Sequence, residues 1–194
     1  MGRKITVIIG HPDPAPDRFC RALAQRYAEG ARAAGHEVRV IDLAALEVPF
    51  LRSAQAFKQD GPPASLAEPA KAVVEAEHLV LVFPLWLGGP PAMLKAFLEQ
   101  VLRPGTAFHY GAGGKTTSLL RGHSARLIVT MGMPALIFRL WFGQHGVAAL
   151  RRSILNFVGI RPVRQTLIGM VENASNERRQ AWLSRIEALG KRGV

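Results

Sequence analysis

Five short aliphatic and β-branched runs, separated by stretches with helical spacing, constrain this chain more than any other feature. Lys4 to Gly10 (KITVIIG) is apolar at successive positions, which predicts a first strand buried on both faces. Glu37 to Leu43, His78 to Phe83, Ala125 to Thr130 and a run near Val163 to Ile168 predict four more. Between the first two, Phe19, Leu23, Tyr27 and Ala31 recur at helical spacing after Asp17, and Gly35 stands where a terminating glycine belongs. Further helices are expected at about Leu66 to Ala76, Pro91 to Leu102, Val147 to Phe157 and Asn173 to Leu189. Strands alternating with helices imply an α/β fold, a doubly wound parallel sheet with helices on both faces. Five strands in 194 residues fit the order 2-1-3-4-5 better than a six-stranded dinucleotide fold. No repeat or boundary divides residues 1–194, so one domain is expected.

In that order the sheet reverses direction between the first and third strands. Ligands bind beyond the carboxyl ends of the strands at such a point. The segments after strands one, three and four therefore carry the functional reading. The first runs from Gly10 to Cys20 and lacks G-x-G-x-x-G, so the usual dinucleotide turn is absent. It still places helix N-terminal N–H groups beside His11 and Arg18, a workable phosphate site. The alternative is that Asp17 caps the helix and His11 packs on the sheet. The second segment, Pro84 to Lys95, has two glycines and three prolines, with Trp86 and Leu87 as apolar surface. A flat ring can lie against such a loop, unless Trp86 is simply a core residue. The third, Thr130 to Pro134, offers a hydroxyl and N–H groups. Ala135 to Phe142 (ALIFRLWF) follows, either a dimer interface or a buried helix.

Composition excludes several other classes. Apolar residues make up 48% of the chain, too many for a disordered protein. The one cysteine, Cys20, forms no internal disulfide, which points to a reducing compartment, the cytoplasm. In the first helical turn it is expected to serve packing. The uncharged stretch Leu79 to Leu94 is broken by Pro and Gly, so no integral membrane segment is expected, and no signal peptide is visible. A net charge of +11 invites a polyanion, but the basic residues form no dense run with interleaved aromatics, and nucleic acid is not the expected partner. Six histidines show no metal-ligand pairing, so no metal is expected. Gly111 to Thr117 imitates a phosphate-binding P-loop, but His109 stands where the first glycine is required. A glycine hinge is the better reading.

Several of these segments together resemble the flavodoxin-like NAD(P)H:quinone oxidoreductases. Phe83-Pro84-Leu85, Pro91 to Glu99 and Pro104 to Phe108 resemble the central signature of that family. His11…Phe19, Leu119 to Gly132 and Ile154 to Ile160 match in order, over about residues 4 to 170. The resemblance implies a flavodoxin-like fold and a homodimer with its active site near the interface. It further implies FAD or FMN, held without covalent attachment, with FAD as the first expectation. NADH or NADPH would reduce the flavin, and a quinone-like small molecule would take the two electrons in a ping-pong cycle. By resemblance, His11, Arg18, Phe19 and Cys20 border the flavin phosphates. Pro84, Leu85, Trp86 and Leu87 line the ring, Thr130, Met131 and Gly132 lie beside its polar edge, and His145 aligns with a catalytic histidine. Nitro or azo compounds are alternative acceptors, and a regulatory subunit of a potassium-efflux transporter is an alternative role. The chain departs from the family pattern in three places. Arg18-Phe19-Cys20 replaces a frequent Ser-Phe-Asn, Leu87-Gly88 replaces Trp-Phe, and no tyrosine aligns with the family's catalytic one.

Overall fold

The structure is a computed structural model that describes residues 2–58, 61–111, 113 and 115–194. Ala112 and Gly114 of the glycine hinge lie outside the described residues. A five-stranded parallel sheet runs in the order β2-β1-β3-β6-β7, with β1 Lys4–Ile9, β2 Glu37–Asp42, β3 His78–Pro84, β6 Ser124–Thr130 and β7 Val163–Ile168. Counted among the strands of this sheet, that is the expected 2-1-3-4-5. Between β3 and β6 the chain makes a small antiparallel hairpin, β4 Phe108–Tyr110 with β5 Thr116–Ser118, which the sequence pattern had not announced.

The period-two geometry of a strand explains why β1 and β3 are apolar throughout. Ile5, Val7 and Ile9, with Val80 and Val82, enter one core under helices α1 (Phe19–Ala33) and α7 (Asn176–Lys191). Ile8, Leu79, Leu81 and Phe83 enter the other, under α3 (Ala67–Glu75) and α4 (Ala92–Val101). α4 meets that core with Leu94, Phe97, Leu98 and Val101, all buried at helical spacing. Each such side chain contributes about 1.5–3 kcal/mol by leaving water. α1 and α7 cross where Gly30 and Gly190 leave no room for a Cβ, because the carbonyls of Glu187 and Tyr27 already occupy that space.

Three helical details differ from the sequence reading. A short helix α2, Ala54–Lys58, interrupts the proline-rich connection after β2. The stretch after β6 is a short helix, α5 (Ala135–Leu140), in which only Phe138 is buried, so it is no ordinary core helix. The expected helix at 147 begins earlier, as α6 (His145–Ala149), and widens into a π-type turn over Leu150–Leu155. Among the described residues no helix is long and apolar enough to cross a membrane.

Candidate functional site

The carboxyl ends of β1, β3 and β6 lie side by side, with Ile9 opposite Val82 and Pro84 opposite Thr130. Strand spacing puts the loops they feed within about 10 Å of one another. After β1, helix α1 opens with Arg18 at its N-cap, without a side-chain cap and without an acid in its first turn. Asp17 is exposed and does not cap the helix, while His11 is partly buried. The N–H groups of Arg21 and Ala22 turn back to the Arg18 carbonyl. Among the described residues, those of Phe19 and Cys20 find no acceptor in the chain. Uncapped N–H groups at the positive end of a 15-residue helix favour an anion.

The loop in front of this helix is built by polar contacts. His11 Nδ1 accepts from the Asp13 N–H at 3.1 Å, and Asp13 Oδ1 accepts from the Ala15 N–H at 2.9 Å. Partial burial holds the His11 pKa below its ordinary value, against the pull of Asp13. Asp13 is held low, first by the Ala15 N–H and then by Arg18. Arg18 Nε donates to Asp13 Oδ2 at 2.7 Å, so part of the guanidinium expected for an anion is spent within the loop. Arg21, which sequence reasoning missed, is the brace. It donates to the Asp13 carbonyl at 3.2 and 3.1 Å, and to both Asp42 carboxylate oxygens at 2.5 and 3.0 Å.

Phe19 and Cys20 contribute backbone rather than side chains at this edge. Phe19 is half-buried, with the Arg179 guanidinium 5.4 Å over its ring. Cys20 Sγ lies 3.1 Å from Thr130 Oγ1 in the interior, and burial pushes its thiol up to about 11. Both groups therefore face each other beneath the sheet edge, and the Thr130 hydroxyl is not offered to a ligand. The Thr130 carbonyl instead accepts the Leu85 N–H at 2.7 Å, which ties the loop after β3 to the end of β6.

That loop is a tight two-residue turn. The N–H groups of Trp86 and Gly89 donate to each other's carbonyls at 2.9 and 3.0 Å, with Leu87 (φ 47°) and Gly88 (φ 80°) both left-handed between them. A leucine in that conformation is uncommon, and Leu87 is fully exposed. The Trp86 N–H is thus occupied, while those of Leu87 and Gly132 have no acceptor among the described residues. Trp86 is 49% exposed and stands edge-on to the His11 ring at 5.9 Å, so it belongs to the anion loop rather than the core.

A cavity of about 640 Å³ opens between this turn, the end of β6 and helices α5 and α6. It gathers Leu85, Leu87, Met131, Gly132 and His145 from the residues expected at the site, and adds Phe142. Its size and apolar walls suit a flat organic ligand. His11, Arg18, Phe19, Cys20, Pro84, Trp86 and Thr130 do not line it. His145 is the first residue of α6, exposed, after the left-handed Gly143 and Gln144. Gly146 lets α6 settle on the Trp86–Gly89 turn, because a Cβ there would strike the Gly88 carbonyl. Glu172 was also missed: a Cβ on Gly132 would lie 3.1 Å from its Oε1, so its carboxylate overhangs the end of β6. The glycine after His145 was a visible signal, but Glu172 carried none.

The chain matches the Flavodoxin_2 model, described as a flavodoxin-like fold, over residues 3–189. It is 30% identical over 152 residues to human ribosyldihydronicotinamide dehydrogenase [quinone], a match covering 71% of this chain and 62% of that protein. It is 28% identical over 214 residues to FMN-dependent NADH:quinone oxidoreductase of Macrococcus caseolyticus, covering 97% and 98% of the two. The crystal structure of Smu.1420 from Streptococcus mutans superposes with a TM-score of 0.82 at 24% identity, over 97% of this chain and 98% of that one. Strand order, an uncapped helix at the switch point and this family match agree, and the chain belongs to the Flavodoxin_2 family of flavodoxin-like folds.

Proposed function

We propose that this chain, as one domain over residues 1–194, is a flavin-dependent NAD(P)H:quinone oxidoreductase working as a cytoplasmic homodimer. The observation that carries the reading is the uncapped start of α1 on the same sheet edge as the Trp86–Gly89 turn and the 640 Å³ cavity. The residues present fit a flavin phosphate and a ring respectively. FMN and NADH are favoured over FAD and NADPH, because the Macrococcus relative that this chain matches from end to end is named for both.

When bound, a flavin supplies reversible two-electron hydride chemistry. The chain supplies binding and polarity around it. The Phe19 and Cys20 N–H groups hold the phosphate, with Arg18 and His11 beside it. Leu85 and Leu87 bear on the ring, and the free N–H groups of Leu87 and Gly132 favour negative charge on its polar edge. Donor and quinone occupy the cavity in turn, which is the structural meaning of a ping-pong cycle. His145 holds a proton at its imidazole for the quinone oxygen. The homodimer covers the open side of the cavity, where Leu87 stands free.

Turnover tests the reading. Purified protein with FMN is expected to oxidise free NADH with a water-soluble benzoquinone, without any transporter subunit. Flavin binding without turnover would instead favour a regulatory subunit.

A further inference from the structure

Helices α1 and α7 lie side by side and run in the same direction. Arg26 Nη1 of the first is 3.7 Å from Glu187 Oε2 of the second, and about two turns earlier on each helix Phe19 meets Arg179. The uncapped start of α1 therefore has an arginine from a second helix start beside it. Arg179 is half-buried, with its guanidinium 5.4 Å over the Phe19 ring. Its Nη2 donates to the Val171 carbonyl at 2.8 Å and its Nε to the Ala174 carbonyl at 3.3 Å. One ring and two carbonyls thus hold the group in a single orientation. Its Nη1 has no acceptor among the described residues, and no carboxylate there comes within ion-pair distance of it. Glu177, two residues away, is held by Ser175 instead.

The charge of the anion loop gives that free group its importance. Asp13, Asp17 and Asp42 face Arg18 and Arg21 there, and each arginine is already engaged by one or two of those acids. Partial burial disfavours a charge on His11. The start of a helix supplies only about half a positive charge, against nearly two negative charges on a phosphate monoester at pH 7.

We propose that Arg179 is the counter-charge of the flavin phosphate, its Nη1 closing the site that the Phe19 and Cys20 N–H groups open. The assignment rests on the flavin reading above. A guanidinium already braced on two carbonyls loses little freedom on binding, and its stack on Phe19 keeps it partly out of water, where a charge-assisted bond is strong. A purely architectural role, in which Arg179 only closes the connection from β7 to α7, would affect every flavin alike. Riboflavin, with the same ring and no phosphate, separates the two.

Titrations of the apoprotein with FMN and with riboflavin, read by quenching of flavin fluorescence, test the assignment. The wild type is expected to bind FMN about tenfold or more tighter than riboflavin. Arg179→Met keeps an apolar stem over Phe19, and should raise the FMN dissociation constant about tenfold or more while the riboflavin constant stays within about twofold. Arg179→Lys, which keeps the charge but not the fork, should recover part of the loss. Arg178→Met, one residue earlier, should change neither constant, because that guanidinium is turned to the Gly169 carbonyl. Salt should weaken FMN binding by the wild type more than by Arg179→Met. Equal weakening of FMN and riboflavin in Arg179→Met would overturn the proposal. An unchanged FMN constant, or an equal loss in Arg178→Met, would do the same. A wild type that binds neither flavin would sink the flavin reading itself, whereas one that binds FMN no better than riboflavin would sink the phosphate assignment alone.

Discussion

Gly146 rests directly on the Gly88 carbonyl, so the helix that presents His145 and the turn that presents Leu87 share a contact with no side chain between them. The two walls of the cavity are positioned by one missing Cβ. Gly146→Ala forces α6 off the turn. Overpacking of this kind costs about 1–3 kcal/mol, and we expect a melting temperature lower by roughly 2–12 °C. Quinone turnover should fall further than that stability loss explains, measured well below the melting transition.

His145 supplies an exposed imidazole to the cavity, its ring lying over Gly143. His145→Gln is expected to lower quinone turnover roughly a hundredfold or more while flavin content stays at the wild-type level. Steady-state assays beside an absorbance measurement of bound flavin check this. Unchanged turnover would remove His145 from the chemistry.

Arg21 joins the Asp13 carbonyl to the Asp42 carboxylate, and with them the anion loop to the end of β2. Arg21→Ala is expected to raise the flavin dissociation constant about tenfold, an effect of about 1.4 kcal/mol. Arg21→Lys should restore little, because an ammonium does not reproduce the fork that grips both partners. Equal affinity in all three proteins would show that the loop holds its shape without the brace.

His78 sits at the opposite end of the sheet, buried, with Nδ1 2.8 Å from Ser124 Oγ and Nε2 without a partner. Burial, reinforced by Arg3 and Arg126, pushes its pKa down to about 3. The folded state thus binds fewer protons than the unfolded state between about pH 6.5 and 3. Stability attributable to this group is present above pH 6.5 and is lost as the pH falls toward 3. Denaturant melts across that window should show the decline, and His78→Gln should flatten it. A wild-type profile no steeper than the variant's would refute the assignment.

The inner strands β1, β3 and β6 were legible because they are buried on both faces, which writes a nearly unbroken apolar run into the sequence. The edge strands β2 and β7 are partly exposed and showed as alternating, β-branched runs. Their order followed from the number of strands and the alternation with helices, and the order located the site. Side-chain roles were less legible. Cys20 and Thr130 lie at the right edge, yet they turn inward onto each other, and only packing decides between the two directions. The exposure of α5 was hidden as well, since ALIFRLWF reads alike on a core helix and on a bare one. Arg21 and Glu172 act through residues distant in the chain, so no local spacing marks them.

The central claim is that the edge formed by β1, β3 and β6 holds a flavin. Fluorescence-quench titration of the apoprotein with FMN, and separately with FAD, tests it most directly. Saturable binding of one FMN per subunit, tighter than FAD, is the predicted result. No quenching by either flavin would contradict it, leaving the fold intact and the oxidoreductase reading without a cofactor.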